Sequence, residues 1–106
     1  VICLSSIDDK KERKNVIKHL KEDGKEIIDI TEKQVNNFAG NMLQVKAANN
    51  EPYLIMSQAA YDSLTVSQVK KIKNHTKVLS SSLETIETCG GGSARCMMAE
   101  VFLPKA

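Results

Sequence analysis

Cys96 and the glycines that precede it are the residues of this chain best suited to chemistry. Glycines occupy residues 90–92, and Ser93, Ala94 and Arg95 separate them from Cys96. Glycines relax the backbone and remove side chains, so a ligand can approach closely. The apolar run at residues 97–103 predicts a buried strand with Cys96 at its mouth. A thiolate held there is a good nucleophile, although a glycine run is also typical of a plain turn and a buried cysteine of simple packing.

The sequence of residues 90–97, Gly-Gly-Gly-Ser-Ala-Arg-Cys-Met, resembles the C-terminal nucleophile motif of a known superfamily. This is the guanidino-group-modifying (pentein) superfamily, which includes arginine deiminases, dimethylarginine hydrolases and amidinotransferases. Residues 37–43 and 54–57 are similar to its amidinotransferase-like branch, which contains the citrulline-utilisation hydrolases. The resemblance runs over essentially the whole chain and corresponds to the C-terminal part of such an enzyme.

The resemblance implies that Cys96 is the catalytic nucleophile. In the family a thiolate attacks the guanidino or ureido carbon, ammonia or ornithine leaves, and water or an acceptor amine resolves the covalent intermediate. The residues expected to bind substrate are Gly91, Gly92, Ser93, Arg95 and Asn41. The glycines would provide room and backbone donors near developing charge.

The three polar candidates also have plainer interpretations. In a strand Arg95 would face away from Cys96, so it is either a ligand or a loop anchor. Ser93 can donate one hydrogen bond, but a loop serine is commonly a turn residue. Asn41 heads a predicted strand and could point into a central cavity, yet an asparagine after a glycine commonly forms a turn.

The remaining cysteines and the histidines have weaker claims to chemistry. We expect Cys89 to be structural and Cys3, in an apolar strand, to be inert core. His19 lies in a predicted helix among lysines, and His75 lies near a helix C-terminus, where the dipole favours the imidazolium. The resemblance implies that the histidine and carboxylates of the active site lie upstream of Val1.

Composition excludes several classes of protein. The chain has 106 residues and a formal net charge of only +2, with basic and acidic residues interspersed, so we expect one domain or a piece of one and no nucleic-acid partner. No apolar run reaches the roughly 18 residues of a membrane span, and we expect a cytoplasmic protein with no membrane partner. Three widely spaced cysteines favour reduced thiols. We expect no cofactor and no metal site, because Cys89 and Cys96 lack the spacing and nearby ligands of one.

The first residues of the chain suggest a piece of a longer protein. Residues 1–4 read as a strand with no preceding turn and no initiator methionine. We therefore expect a C-terminal fragment that is inactive alone. Its unpaired strand edges would bind the N-terminal remainder or another copy of the chain. The expected ligand is a small guanidino or ureido amino acid.

Local patterns predict an α/β fold. A first helix, capped by Ser6 or Asp9 and stopped by Gly24, lies between strands at residues 1–4 and 27–30, followed by a turn of helix at residues 31–37. A second unit has hairpin strands at residues 41–45 and 53–56, a helix, and a strand at residues 77–79. Thr65 and Gln68 form the capping box of that helix. Its inward face is predicted to carry Val66, Val69 and Ile72.

The resemblance places these units in a five-bladed α/β propeller, whose blade is strand–strand–helix–strand. It implies a partial propeller of about one and a half to two blades, whose repeat is not visible as sequence identity. Residues 1–30 would end one blade, residues 41–79 would form the next, and residues 90–106 would supply the nucleophile loop and closing strand.

The sequence therefore predicts the nucleophile-bearing part of a hydrolase acting on the ureido or guanidino group of citrulline or arginine. Amidino transfer to an amine is the nearest alternative. A rival from another class is a non-catalytic module that binds a carboxylate or phosphate at the glycine loop, which lacks the Lys-Ser/Thr ending of a phosphate loop.

Overall fold

The computed structural model describes residues 1–103 and has α/β architecture. Its helices are α1 (Lys10–Glu22), α2 (Glu32–Asn36), α3 (Gln58–Ser63), α4 (Val66–Lys73) and α5 (Glu84–Gly90). Its strands are β1 (Leu43–Lys46), β2 (Pro52–Ser57) and β3 (Lys77–Ser81), and short 3₁₀ turns occur at Leu4–Ser6 and Arg95–Met97. None of the helices in residues 1–103 combines the length and apolarity that a bilayer crossing requires.

The three strands form one sheet in the order β1-β2-β3. β1 and β2 make the predicted antiparallel hairpin, with Leu43 opposite Ile55. β2 and β3 are parallel, with Leu54 opposite Val78, and the connection between them contains α3 and α4. A parallel pair needs such a crossover, because a tight turn can only reverse the chain.

The first helix forms as predicted, with Asp9 as its cap. The Asp9 carboxylate accepts hydrogen bonds from the backbone N–H groups of Lys11 and Glu12 at 2.7 and 2.8 Å. At the other end Gly24 has a φ of +68°, a left-handed conformation that glycine adopts readily. The cap and the stop therefore fix both ends of α1 locally.

The prediction of two strands that flank α1 is wrong. They are reduced to one parallel bridge between Ile2 and Asp29. The Asp29 carboxylate accepts a hydrogen bond from the backbone N–H of Leu4 at 3.0 Å, where the chain enters a 3₁₀ turn. This turn ends the extended conformation after a single bridge. Ile28 and Ile30 nevertheless lie in the core, as the apolar pattern indicates.

Helices α2 and α4 begin with the same kind of cap, and the two caps are joined. Thr31 with Gln34 and Thr65 with Gln68 form capping boxes. Gln34 Nε2 donates to Gln68 Oε1 at 2.7 Å, and Gln68 Nε2 donates back to Gln34 Oε1 at 3.2 Å. Gln34 is buried, so its amide needs these partners. The glutamine pair therefore fixes α2, and the turn that follows it, against α4.

The prediction of which α4 residues face the core is partly wrong. Ile72 is 3% exposed and Val69 packs against the core, but Val66 is 87% exposed. Six residues of α-helix correspond to about 240° of rotation, so Val66 and Ile72 do not share a face. Helix α3, capped by Ser57, was not predicted at all.

Replacing Ile72 with alanine is expected to lower the free energy of unfolding by about 2–5 kcal/mol, because it leaves a cavity in the core. Val66→Ala on the same helix is the control and should change it by no more than about 0.5 kcal/mol. Urea denaturation followed by circular dichroism measures both. Equal losses in the two variants would contradict the burial described for α4.

The strand predicted at residues 97–103 is also wrong. Arg95–Met97 form a 3₁₀ turn, and residues 98–103 have no regular secondary structure. Phe102 is 88% exposed, and its neighbours Val101 and Leu103 are also exposed. An apolar run becomes a strand only when another strand satisfies its backbone groups, and no strand of residues 1–103 pairs with this run. The end of the predicted closing segment, residues 104–106, lies outside the described residues.

Candidate active site

The glycine loop connects α5 to the 3₁₀ turn that carries Cys96. Helix α5 ends at Gly90, and its capping residue, Gly91, has a left-handed φ of +67°. Ser93 and Ala94 are buried, whereas Cys96 is exposed. Two small residues therefore fix the loop in the protein while the thiol faces solvent. Cys96 lies in a tight turn and not at the mouth of a strand, so the strand geometry invoked for Arg95 does not apply.

Gly92 lies directly against the cysteine side chain. A Cβ atom at residue 92 would be 3.0 Å from Cys96 Cβ and 3.2 Å from Cys96 Sγ. Glycine is therefore the residue that fits without displacing the thiol, and Gly91 is suited to the left-handed turn before it. By contrast, a Cβ at Gly90 would meet nothing within 4 Å.

Asn41 contacts both the thiol and the backbone of its turn. Asn41 Nδ2 donates a hydrogen bond to Cys96 Sγ at 2.9 Å. Asn41 Oδ1 accepts from the backbone N–H groups of Arg95 at 2.9 Å and of Cys96 at 3.4 Å. One amide thus fixes the turn and hydrogen-bonds to the sulfur, which makes Asn41 the strongest partner of Cys96 in the described chain.

The turn that follows α2 positions Asn41. The backbone N–H of Asn41 donates to the carbonyl of Phe38 at 2.8 Å, and Ala39 is completely buried. Phe38 has a φ of +63°, a conformation that an aromatic residue adopts only at a cost in strain. Its side chain packs against the core, so core packing stabilises this conformation.

The surroundings of Cys96 favour its thiolate form. The pKa of the Cys96 thiol lies below its ordinary value, first because Asn41 hydrogen-bonds to the sulfur and second because of a backbone hydrogen bond with Ser93. The positive charge of Arg95 lowers this pKa further. A lowered pKa increases the thiolate fraction at neutral pH, and the thiolate is the nucleophile.

The Ser93 hydroxyl is already engaged inside the protein. Ser93 is completely buried, and its Oγ donates to Glu87 Oε1 at 2.6 Å. Glu87 is a half-buried residue of α5 that the sequence analysis did not identify. No sequence signal marks this pair, because Ser93 lies six positions after Glu87 and on the far side of a left-handed turn.

The other two cysteines have different surroundings. Cys3 packs against the core, as predicted, but it is only half-buried, so it is not the fully enclosed core residue that the sequence indicated. Its pKa is lowered by hydrogen bonds with the hydroxyls of Ser5 and Ser6, because the 3₁₀ turn brings both next to the sulfur. Cys89 is exposed on α5, seven residues before Cys96.

Neither histidine contacts the Cys96 thiol within residues 1–103. His75 Nε2 lies 2.7 Å from Glu26 Oε2, and His19 Nδ1 lies 3.7 Å from Glu22 Oε2. Both pairs are substantially exposed. The described part of the chain therefore brings Asn41, Gly92, Ser93 and Arg95 to Cys96, and it does not bring a histidine to it.

A model of the family described as N,N dimethylarginine dimethylhydrolase, eukaryotic, matches residues 1–103. No curated protein and no solved structure matches the chain.

Proposed function

Since this chain belongs to the N,N dimethylarginine dimethylhydrolase family, we propose that it carries the nucleophile of a guanidino-group hydrolase and that this nucleophile is Cys96. Dimethylarginine hydrolases are among the enzymes of the superfamily that the glycine–cysteine segment resembles. The family model therefore agrees with that resemblance at the level of the superfamily. The finer assignment to the citrulline-utilisation branch stays a prediction.

The contact between Asn41 and Cys96 is the observation that carries the proposal. A cysteine that only fills space needs neither exposure nor a hydrogen-bond donor at its sulfur, whereas Cys96 has both. The donor lowers the pKa of the thiol. These are the properties expected of a reactive cysteine, and not of a structural one.

The proposed reaction is hydrolysis through a covalent intermediate. The Cys96 thiolate attacks the guanidinium carbon of N,N-dimethylarginine, and the bond from that carbon to the dimethylated nitrogen breaks. Dimethylamine leaves with an added proton, and the carbon stays bound to sulfur. Water then attacks the same carbon and gives up two protons, one of which replaces the proton taken by the leaving amine while the other goes to solvent. The carbon–sulfur bond breaks, and citrulline and the thiolate are released. No electrons are exchanged with a co-reactant, so this scheme needs no redox partner.

The other site residues have supporting roles in this proposal. Asn41 stabilises the thiolate and orients it, and Gly92 leaves the space that the Cys96 side chain occupies free of a competing Cβ atom. The Arg95 guanidinium forms no ion pair with another residue of the described chain, and we assign it to an anionic group of the substrate. Gly91 belongs to the same substrate-facing loop.

We extend the proposal to the architecture. Within residues 41–79 the order of elements is strand, strand, two helices and strand, which supports the assignment of this segment as one blade of an α/β propeller. The three-stranded sheet has open edges at β1 and β3 within the described residues. The other proposed partners, the N-terminal remainder or a second copy, would bind at such edges.

The substrate can be identified by an activity assay on the intact natural protein. The protein is given N,N-dimethylarginine, arginine or citrulline in separate reactions, and the release of dimethylamine, ammonia and ornithine is measured. We expect release of dimethylamine and, in acid-quenched samples, an added mass on the peptide that contains Cys96. An adduct confined to another residue would overturn the assignment. Turnover that requires an acceptor amine would indicate amidino transfer, and binding without turnover would indicate a binding module.

The same assay applied to residues 1–106 alone tests the expectation that this chain is inactive by itself. We expect no turnover, because a thiolate also needs a group that protonates the leaving amine, and loss of such a group typically costs about 10²- to 10⁴-fold in rate. Turnover by the isolated chain comparable to that of the intact protein would contradict the expectation and would return attention to His19 and His75.

A further inference from the structure

The glycine loop is anchored by one buried polar contact. The Ser93 hydroxyl, with no exposed surface, donates to the Glu87 carboxylate at 2.6 Å. This length is typical of a hydroxyl bonded to an ionised carboxylate, which is a strong class of hydrogen bond. The two residues on the α5 side of Ser93 are glycines, which by themselves leave the backbone free to move. The contact between Ser93 and Glu87 therefore holds the glycine side of this loop, while Asn41 holds the turn that follows it.

We propose that Glu87, acting through Ser93, is a positioning residue for the Cys96 thiol. The inference rests on the proposed function, in which Cys96 is the nucleophile. Glu87 does not touch the sulfur, and its effect is transmitted by the residue that it holds. In this proposal Ser93 holds the loop in place of binding substrate, because its hydroxyl already donates a hydrogen bond to Glu87.

The transmission follows from the geometry of Ser93. Gly92, which directly precedes Ser93, lies against the thiol: a Cβ atom at residue 92 would be 3.0 Å from Cys96 Cβ and 3.2 Å from Cys96 Sγ. Because Ser93 is joined to Gly92 and its hydroxyl is held by Glu87, a shift of the loop away from the sulfur would stretch or break the hydrogen bond to Glu87. Breaking it would leave a buried hydroxyl without its partner, which is unfavourable.

The thiol is thus held from two directions. Asn41 hydrogen-bonds to it directly from the turn after α2, and Gly92, next to Ser93, packs against it from the glycine loop. Fixed orientation of a reactive group depends on such supporting contacts as much as on the group itself. Glu84, on the same helix as Glu87, is exposed and has no hydrogen bond to the loop in the described chain, so it provides a matched control.

The test measures how fast iodoacetamide alkylates Cys96 as a function of pH, with the peptide that contains Cys96 quantified by mass spectrometry. The variants are Ser93→Ala, Glu87→Ala, Glu87→Gln and Glu84→Ala. At pH 7 we expect Ser93→Ala and Glu87→Ala to slow alkylation by about two- to tenfold, the range for loss of one hydrogen bond. Their pH profiles should move to higher pH. Glu87→Gln retains an acceptor oxygen and should stay within about twofold of the natural protein, as should Glu84→Ala.

The sign of the change separates positioning from plain electrostatics. Removal of a negative charge stabilises a nearby thiolate and by itself would speed alkylation. Slower alkylation in Glu87→Ala, together with a normal rate in Glu87→Gln, would therefore support positioning. Faster alkylation in both variants would overturn it.

Thermal stability is measured on the same samples. If Ser93→Ala and Glu87→Ala lower the melting temperature but leave the pH profile of Cys96 unchanged, the contact is only structural and the proposal is wrong. The readout needs no turnover. A catalytic role for Cys96 can therefore fail in the activity assay without affecting the alkylation result, and the two proposals are tested independently.

Discussion

Replacing Cys96 with serine is expected to lower hydrolytic turnover of the intact protein by roughly three orders of magnitude or more, since an unactivated hydroxyl is a far weaker nucleophile than a thiolate. The free energy of unfolding should change little, because Cys96 is exposed and a serine oxygen can still accept the hydrogen bond from Asn41. Steady-state kinetics and urea denaturation of the same preparation measure the two effects.

Cys89→Ser is the matched control for this experiment. Cys89 is also exposed and lies at the other end of the same glycine segment. The Cys89→Ser variant should retain turnover close to that of the natural protein. A Cys96→Ser variant that keeps its activity would refute the nucleophile assignment. Loss of activity together with a large loss of stability would mean that Cys96 acts in packing instead.

Changes at Asn41 are expected to have the next largest effect. Asn41→Ala removes the donor to the sulfur and the acceptor for the backbone of Arg95, so turnover at pH 7 should fall by roughly 10- to 100-fold, the range for a hydrogen bond to a charged group. Asn41→Asp keeps the acceptor but places a carboxylate where the donor was. It should therefore be slower still at neutral pH.

The prediction for Asn41 also fixes the direction in which the pH profile of activity should move. The natural contact lowers the pKa of the Cys96 thiol, so the thiolate persists to lower pH than in an isolated cysteine. Without the donor the pKa rises, and activity should be lost first on the acid side of the profile and partly recovered at higher pH. The pH profile of kcat/KM for each variant measures the shift. An acid limb that stays in place in both variants would contradict a role for Asn41 at the sulfur.

Asn37→Ala is the control for these variants. Asn37 lies in the same turn, but its side-chain amide donates to the Lys33 carbonyl and not to Cys96. It should leave the acid limb unchanged. A similar shift in Asn37→Ala would show that any disturbance of this turn moves the profile, and the Asn41 result would lose its meaning.

Features settled within one turn of chain could be predicted from the sequence. Asp9 and Gly24 bound α1, and Thr65 with Gln68 starts α4, as predicted. Each depends on hydrogen bonds and backbone conformations that span three or four residues. The β1–β2 hairpin also formed around its predicted turn. The resemblance of residues 90–97 directed attention to Cys96, and the family match over residues 1–103 agrees with the superfamily that this resemblance indicates.

Features that depend on distant partners were missed or wrong. The apolar run at residues 97–103 predicted a strand, but a strand also needs a neighbour with free backbone groups. Asn41 meets Cys96 across 55 residues, and Glu87 meets Ser93 around a left-handed turn, so neither contact leaves a periodic pattern in the sequence. The sequence by itself determined where α1 begins and ends, where α4 begins, and which thiol is a candidate nucleophile, because those properties are local. The tertiary structure alone decided that Asn41 contacts that thiol and that Glu87 holds Ser93, because packing, and not spacing along the chain, brings them together.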